Sequence, residues 1–224
     1  MRFGIYRKPV TERIPVRCTL HEKRQQLLAL VLADGVENNR WPTYLFSETA
    51  NNEDSVMRRG VRMMNDGSAE MLYIIDDTTR TNSGYPGADT WKKKLSGLVL
   101  TTDVETIPCK EPLNTFTESL AVASLAKERN WNALYIVAPS FHQMRAFISM
   151  VSAMKKLNAP VRVYNKVGMA QPWGDTVAHS QGTLVRTRLE LVVEESRRIE
   201  TYTAKGDLLP IEEVLQYIEW RDTP

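Results

Sequence analysis

The sequence contains few of the residues that build disulfide frameworks or metal centres. Its 224 residues include two cysteines, Cys18 and Cys109, which form no CxxC pattern. Two isolated thiols are typical of a reducing compartment and not of a disulfide-stabilised secreted fold. The three histidines, His21, His142 and His179, lie far apart in the chain, which argues against a metal site with several histidine ligands.

Long apolar segments and a strong charge bias are also missing. The longest apolar run, residues 27–33, has seven residues, whereas a helix that spans a bilayer needs roughly 20. The basic start of the chain is followed by no apolar signal region. The 29 basic and 27 acidic residues give a net charge of +2, which is too small to indicate a nucleic-acid partner. We therefore expect a cytoplasmic protein with no membrane or nucleic-acid partner.

Four common motifs for phosphate, metal or nucleophile sites are absent. The chain has no GxxxxGKS/T phosphate loop, no HExxH metal motif, no GxSxG and no GxGxxG. These absences argue against a P-loop protein, an HExxH metalloprotease, a common α/β-hydrolase and a fingerprint-type dinucleotide-binding protein. The function has to be inferred from residues outside these motifs.

Apolar runs alternate with helix-like segments, which predicts an α/β domain with a mostly parallel sheet covered on both faces. The first predicted strand is the apolar run at 27–33, which ends at Asp34 and Gly35. The other predicted elements are strands at 71–75, 104–107, 133–138 and 161–164, and helices at 53–66, 91–95, 115–129, 140–156, 186–200 and 211–220. We predict one domain over residues 1–224, with a core at about 27–165 and a helical C-terminal extension at about 180–222.

Polar residues follow several of these strands. Ligands of such sheets bind beyond the carboxyl ends of the strands, so we predict a site around Asn114, Thr115, Glu118, Ser140, His142 and Arg145. Asp34, Gly35 and Glu111 are predicted as further substrate-binding residues. Asp76 and Asp77, together with Asp34, are candidate ligands for Mg²⁺, which prefers hard oxygen donors.

Two of the predicted helices begin with a capping-box pattern, which predicts Thr115 and Ser140 as N-caps. Glu118 has two interpretations. It is either the capping partner of Thr115 or a general base that faces a ligand.

His142 and Arg145 are three residues apart on one predicted helix and lie off its apolar stripe. The helix N-terminus favours an anion, and the guanidinium of Arg145 can bind a phosphate or carboxylate through two bonds. The same dipole favours a neutral His142, which suits an acid–base role. The alternative is a surface pair on a solvated helix face, which is also what we expect of Arg197 and Arg198.

The chain resembles the YdcF-like (SanA/ElyC-like) family of bacterial proteins in two segments. Residues 114–119 (NTFTES) are similar to that family's NTxxEA segment, and residues 138–146 (APSFHQMRA) are similar to its later SxxHxxRA segment, with the HxxRA part in common. The resemblance covers roughly residues 27–162. It implies a three-layer Rossmann-like fold and a pocket that contains Asn114, Glu118, His142 and Arg145. S-adenosylmethionine has been associated with the family, which implies a nucleotide-type ligand as one possibility.

These observations lead to three hypotheses. The first is a small-molecule enzyme, a hydrolase or transferase, that acts on a phosphate- or carboxylate-bearing substrate. His142 would be its acid–base, Glu118 would orient His142 or activate water, and Arg145 would hold the anion. The second is a nucleotide-binding protein without hydrolytic activity, with S-adenosylmethionine as the candidate ligand. The third is an interaction protein with a vestigial pocket.

Overall fold

The fold is built around a sheet of five parallel strands. The computed structural model describes residues 19–34, 39–77, 84–98, 104–179 and 183–223. The strands are β1 (Trp41–Leu45), β2 (Ala69–Asp77), β3 (Val104–Cys109), β4 (Ala133–Val137), β5 (Arg162–Asn165), β6 (Thr176–His179) and β7 (Leu184–Thr187). The helices are α1 (Leu20–Leu32), α2 (Glu53–Asn65), α3 (Ala88–Ser96), α4 (Thr115–Glu128), α5 (Gln143–Lys156), α6 (Arg188–Ala204) and α7 (Ile211–Arg221).

The strand order, β3-β2-β1-β4-β5, is that of a Rossmann-like sheet in which all neighbours are parallel. The chain runs from β1 to one edge through α2 and α3, and then returns past β1 to the other edge through α4 and α5. Because such crossovers are right-handed, the two halves place their helices on opposite faces. The α2 and α3 helices therefore cover one face, and α4 and α5 cover the other. The predicted three-layer α/β fold is confirmed.

Most of the predicted elements are present. The strands predicted at 71–75, 104–107, 133–138 and 161–164 are β2 to β5, with ends that differ by at most two residues. The predicted helices correspond to α2 to α7, with larger differences at their ends. Gly67 follows α2 with a φ of 77°, the left-handed conformation of a glycine after a helix.

The predicted strand at 27–33 is wrong, because residues 27–32 belong to α1 and Ala33 is its C-cap. The helix begins with a capping box in which Thr19 Oγ1 accepts from the backbone N–H of Glu22 (3.3 Å) and the Glu22 carboxylate accepts from the backbone N–H of Thr19 (2.6 Å). Leu27 and Val31, four residues apart, are buried, whereas Leu30 between them is exposed. A short apolar run fits both a buried strand and a helix, and here the cap and the packing against α5 and α7 decide for the helix.

The central strand β1 is one of the elements that the sequence pattern does not predict. It contains Pro42, and a proline within a run of residues argues against a central strand because it lacks an N–H donor. The pairing of β1 with β2 is irregular between Trp41 and Thr43, so Pro42 lies where the register shifts. The strand then pairs regularly with β4 from Thr43 to Leu45.

The C-terminal segment is helical over α6 and α7, as predicted, but an unpredicted antiparallel hairpin of β6 and β7 precedes α6. The carbonyl oxygen of Ala178 in β6 accepts hydrogen bonds from Thr49 Oγ1 (2.8 Å) and Asn52 Nδ2 (3.3 Å). These bonds attach the hairpin to the segment that follows β1. The α1, α6 and α7 helices all pack against α5.

One cluster of buried apolar side chains extends from Leu27 in α1 to Ile218 in α7 and includes residues of all five central strands. It joins the C-terminal helices to the same core as the sheet. Within the described ranges, no helix has the length and apolar character needed to cross a membrane.

We predict that Gly168→Ala destabilises the fold, because this glycine packs tightly between α2 and the end of β4. A Cβ atom here would lie 2.4 Å from Ser55 Oγ and 3.1 Å from the carbonyl oxygen of Ala138. Overpacking of this kind costs about 1–3 kcal/mol, which urea denaturation would measure. The control is Gly174→Ala, where a Cβ meets no atom of the described residues within 4 Å. Equal unfolding free energies for the two variants would contradict the prediction.

Candidate active site

A cavity of about 340 Å³ lies beyond the carboxyl ends of β1 and β4. From β1 the chain proceeds to one edge of the sheet, and from β4 it proceeds to the other. Ligands of open α/β sheets bind where this direction reverses, at the switch point of the sheet. The cavity is formed by the segment after β1, the first turns of α4 and α5, the hairpin and α6. Its polar lining includes Ser47, Glu48, Thr49, Asn114, Thr115, Glu118, His142, Arg145, His179, Arg198 and Tyr202.

Five of the predicted site residues line this cavity together: Asn114, Thr115, Glu118, His142 and Arg145. The first three come from the start of α4, and the other two from the start of α5. The two helices follow β3 and β4 and pack against each other, which brings their N-terminal turns to one place.

Three other predicted residues lie away from the cavity lining. Asp34 is buried in an ion pair with Arg221 (Oδ2 to Nη1, 2.7 Å) and accepts a hydrogen bond from the backbone N–H of Asn165 (2.9 Å). It therefore joins the end of α1 to β5 and α7. Glu111 is exposed in the segment before α4, and Ser140 lies in the turn before α5.

Of the three candidate metal ligands, Asp76 and Asp77 are the last residues of β2 and pair with the end of β3, whereas Asp34 is held in its ion pair with Arg221. Over the ranges that the structure describes, no group of three His, Cys, Asp or Glu side chains is arranged to hold a metal ion. Gly35, a predicted substrate-binding residue, and Cys18 lie outside those ranges.

The caps of α4 and α5 differ from the predicted ones. Asn114, and not Thr115, is the N-cap of α4, because its Oδ1 accepts from the second and third backbone N–H groups of the helix (2.9 and 3.0 Å). His142 occupies the N-cap position of α5, so the predicted Ser140 cap is wrong as well. Asparagine is among the best N-cap residues, and its use here leaves the Thr115 hydroxyl available to the cavity.

Glu118 is a buried acid in the cavity wall, and the capping interpretation of this residue is wrong. Its carboxyl group accepts hydrogen bonds from the Tyr44 hydroxyl, the Ser47 backbone N–H (2.7 Å) and Ser47 Oγ (3.0 Å). Burial raises the pKa of Glu118 to about 7, although these hydrogen bonds oppose the shift. Both protonation states are therefore populated near neutral pH, as a general acid or base requires.

His142 is held between an acid and a hydroxyl group. Its Nδ1 lies 2.7 Å from Glu48 Oε1, both side chains being buried, and its Nε2 lies 3.4 Å from Thr115 Oγ1. Burial, followed by the positive charge of Arg145, lowers the pKa of His142 well below its usual value. Burial, followed by two neighbouring carboxylates, raises the pKa of Glu48. Once Glu48 ionises, its carboxylate accepts a hydrogen bond from the Nδ1–H of His142, and the Nε2 lone pair faces Thr115.

Arg145 belongs to a buried ion pair with Glu195. Its Nε and Nη2 donate to the two carboxylate oxygens of Glu195, and its Nη1 donates to Thr115 Oγ1 at 2.6 Å. His179 Nε2 lies 2.9 Å from the same carboxylate. Burial would raise the pKa of Glu195, but the charge of Arg145 and the hydrogen bond with His179 outweigh it and hold the pKa well below its usual range. The charge of Arg145 is therefore balanced inside the protein.

Arg198 presents a second cation to the cavity. Its side chain is 26% exposed and its Nη1 lies 3.6 Å from Glu195 Oε1, a longer contact than that of Arg145. The adjacent Arg197 is 67% exposed and binds Glu194 (2.6 Å). Successive residues of a helix point in directions about 100° apart, so one arginine of the pair lies on the solvated face and the other lines the cavity.

The sequence pattern did not single out Glu48, Glu195 or His179. Glu48 follows β1 in the way that other polar residues of the site follow their strands, which is a local indication. It could not be used, because Pro42 argues against a strand at β1. Glu195 lies 50 residues from its partner Arg145. No local spacing links residues at that separation.

The fold and the cavity define an α/β protein with a polar site at the switch point of a Rossmann-like sheet. No protein-family model matches the chain, and no curated protein matches it. A proposal of function therefore rests on the side chains that surround the cavity.

We predict that Glu118→Gln reduces the dependence of stability on pH. The folded state binds the Glu118 proton more tightly than the unfolded state does, so the free energy of unfolding falls as the pH rises from 4.5 to about 7. The pKa shift corresponds to a decrease of about 3 kcal/mol in the free energy of unfolding. The Gln variant cannot ionise at this position and should not show that decrease. Urea denaturation at about pH 5 and pH 8 measures the difference.

The matched control for this experiment is Glu128→Gln, at an exposed position of the same helix. It should retain the pH dependence of the wild type. A fall in stability between the two pH values that is as large in the Glu118 variant as in the wild type would refute the prediction.

Proposed function

We propose that this protein is an enzyme that hydrolyses a small anionic substrate or transfers a group from it, with His142 as the acid–base residue. The proposal is carried by the series of contacts from Glu48 to His142 (2.7 Å) and from His142 to Thr115 (3.4 Å) in the cavity wall. An imidazole between a carboxylate and a hydroxyl group can take a proton from that hydroxyl or from water and return it to a leaving group.

The protonation states of His142 and Glu118 support this role. A base has to be unprotonated before the reaction, and burial together with Arg145 keeps His142 neutral. An ionised Glu48 would orient the ring and stabilise the imidazolium formed in the transition state. Glu118, with a pKa of about 7, offers a second group in the same cavity that can donate or accept a proton.

We assign the substrate anion to Arg198 in place of Arg145. The charge of Arg145 is already balanced by a two-point contact with Glu195, whereas Arg198 keeps a longer contact and a partly exposed side chain. The first turns of α4 and α5 also line the cavity, and their positive dipole ends favour an anion. A carboxylate or phosphate group fits this combination.

A nucleotide-type ligand without turnover is the second candidate function, with S-adenosylmethionine as the test compound. The partly exposed ring of Tyr202 lines the cavity and offers a surface for a stacked base. The segments at 114–119 and 138–146 support membership of the YdcF-like family, with which this cofactor is associated. Calorimetric titration with S-adenosylmethionine and ATP tests this function, because a binding module gives heat without ester turnover.

We predict that His142→Asn strongly reduces turnover. The probes are 4-nitrophenyl phosphate and the mono-4-nitrophenyl ester of succinate, which both carry an anionic group and release a coloured product. Asparagine keeps a donor toward Glu48 but has no base in the position of Nε2, so kcat/KM should fall by about 10²–10⁴-fold.

His21→Asn is the matched control for this variant, since His21 is exposed on α1. It should keep the wild-type rate, and both variants should keep a melting temperature near that of the wild type. Undiminished turnover by a folded His142→Asn protein would exclude the acid–base role.

We predict that Arg198→Ala raises KM for the succinate ester while kcat changes little, because the residue binds the free carboxylate of that substrate and does not react. The loss of a hydrogen bond to a charged group weakens binding by about 1.5–3 kcal/mol, which corresponds to a rise in KM of about 10- to 100-fold. Arg197→Ala, one residue away on the exposed face, is the control and should leave KM unchanged. Equal KM values for the two variants would remove Arg198 from the site.

A further inference from the structure

We propose that Thr115 is the nucleophile of this site and that its substrate is a carboxylic ester bearing one negative charge. This inference rests on the proposed function. Thr115 Oγ1 lines the cavity between His142 Nε2 (3.4 Å) and Arg145 Nη1 (2.6 Å). With Glu48 on the far side of the imidazole, the residues form an acid–imidazole–hydroxyl series of the kind that performs nucleophilic acyl transfer.

The hydroxyl group of Thr115 is not used in the cap of α4. A threonine at the start of a helix commonly accepts a backbone N–H with its hydroxyl oxygen, but Asn114 supplies that acceptor here. Thr115 is the first residue of the helix, where the positive end of the helix dipole favours negative charge on the nucleophile. The separation of 3.4 Å from His142 is long for a hydrogen bond, as is common in sites without substrate.

Arg145 acts on this nucleophile from a fixed position. Its guanidinium is held by both carboxylate oxygens of Glu195, and the remaining Nη1 donates to Thr115 Oγ1. A cation that is fixed before the reaction stabilises charge that develops beside it without further reorganisation. The ion pair thereby supports the negative charge on Oγ1 as its proton leaves.

The reaction balances with water as the second substrate. His142 Nε2 takes the proton of Thr115 Oγ1, the bond from Oγ1 to the acyl carbon forms, and the bond from that carbon to the leaving oxygen breaks. The proton on Nε2 passes to the leaving alcohol. A water molecule then gives a proton to Nε2 and its oxygen bonds to the acyl carbon, while the bond to Oγ1 breaks and Thr115 regains the proton.

The charges of the cavity favour an ester over a phosphate at the reacting end. Arg145 is balanced by Glu195, and the acids Glu48 and Glu118 also line the cavity. A doubly charged phosphate beside Thr115 would be repelled by these acids when they are ionised, whereas an ester carbonyl is uncharged and would not be. Arg198 then meets a single negative charge at the other end of the molecule.

The test uses the wild-type protein and the mono-4-nitrophenyl ester of succinate. Acid quenching during turnover, followed by mass spectrometry of peptides, should find a succinyl group on Thr115. Thr115→Ser should keep the adduct and stay within about tenfold of the wild-type rate, because serine carries the same hydroxyl. Thr115→Val should lose the adduct and about 10³-fold or more in kcat, whereas Thr90→Val, at an exposed position of α3, should change neither.

The outcomes separate this proposal from the proposed function. Turnover by Thr115→Val near the wild-type rate, with no adduct on the wild type, would overturn the nucleophile and leave a mechanism in which His142 activates water directly. An adduct on another residue would also overturn it. Absence of any turnover that depends on His142, with either probe, would overturn both proposals.

Discussion

The candidate site depends on the buried ion pair between Arg145 and Glu195. Two charges buried without partners would cost several kcal/mol each, and removal of one member of such a pair typically costs about 3–5 kcal/mol. The two-point contact and the additional hydrogen bond with His179 offset that cost. Because the pair joins α5 to α6, it also fixes where Arg198 stands relative to the first turns of α4 and α5. It therefore acts both as a tertiary link and as a part of the site.

Three buried glutamates in and beside the cavity differ in their pKa values because their partners differ. Glu195 faces a guanidinium, which lowers its pKa despite burial, so Glu195 keeps its negative charge. Glu118 receives neutral donors from Tyr44 and Ser47, and burial dominates, which raises its pKa to about 7. Burial, followed by the nearby carboxylates of Glu195 and Glu118, raises the pKa of Glu48, whose direct partner is a neutral imidazole. Carboxyl groups whose environments separate their pKa values in this way are suited to different tasks in acid–base chemistry.

The topology places the members of the site next to each other without unusual local structure. β1 and β4 are hydrogen-bonded neighbours, and their pairing continues to the bond from the Phe46 backbone N–H to the Val137 carbonyl oxygen (2.9 Å). Glu48 and His142 follow these two strands within a few residues, at the point where the helices pass to opposite faces. The contact between them is therefore a consequence of the strand order.

The sequence by itself determined the α/β class, most of the strands and helices, and the five residues from the starts of α4 and α5 that line the cavity. These features depend on local patterns, such as apolar runs, helix stops like Gly67 and polar residues that follow strands. It misassigned residues 27–33 and missed β1, because a short apolar run is ambiguous and Pro42 conceals a strand whose irregular register accommodates it. Only the tertiary structure decided that Glu195 balances Arg145, that Glu48 holds His142 and that Arg198 lines the cavity. The members of the pairs Arg145–Glu195 and His142–Glu48 are 50 and 94 residues apart in the chain. Packing of the helices on the sheet brings them together, and no local sequence spacing predicts contacts over such separations.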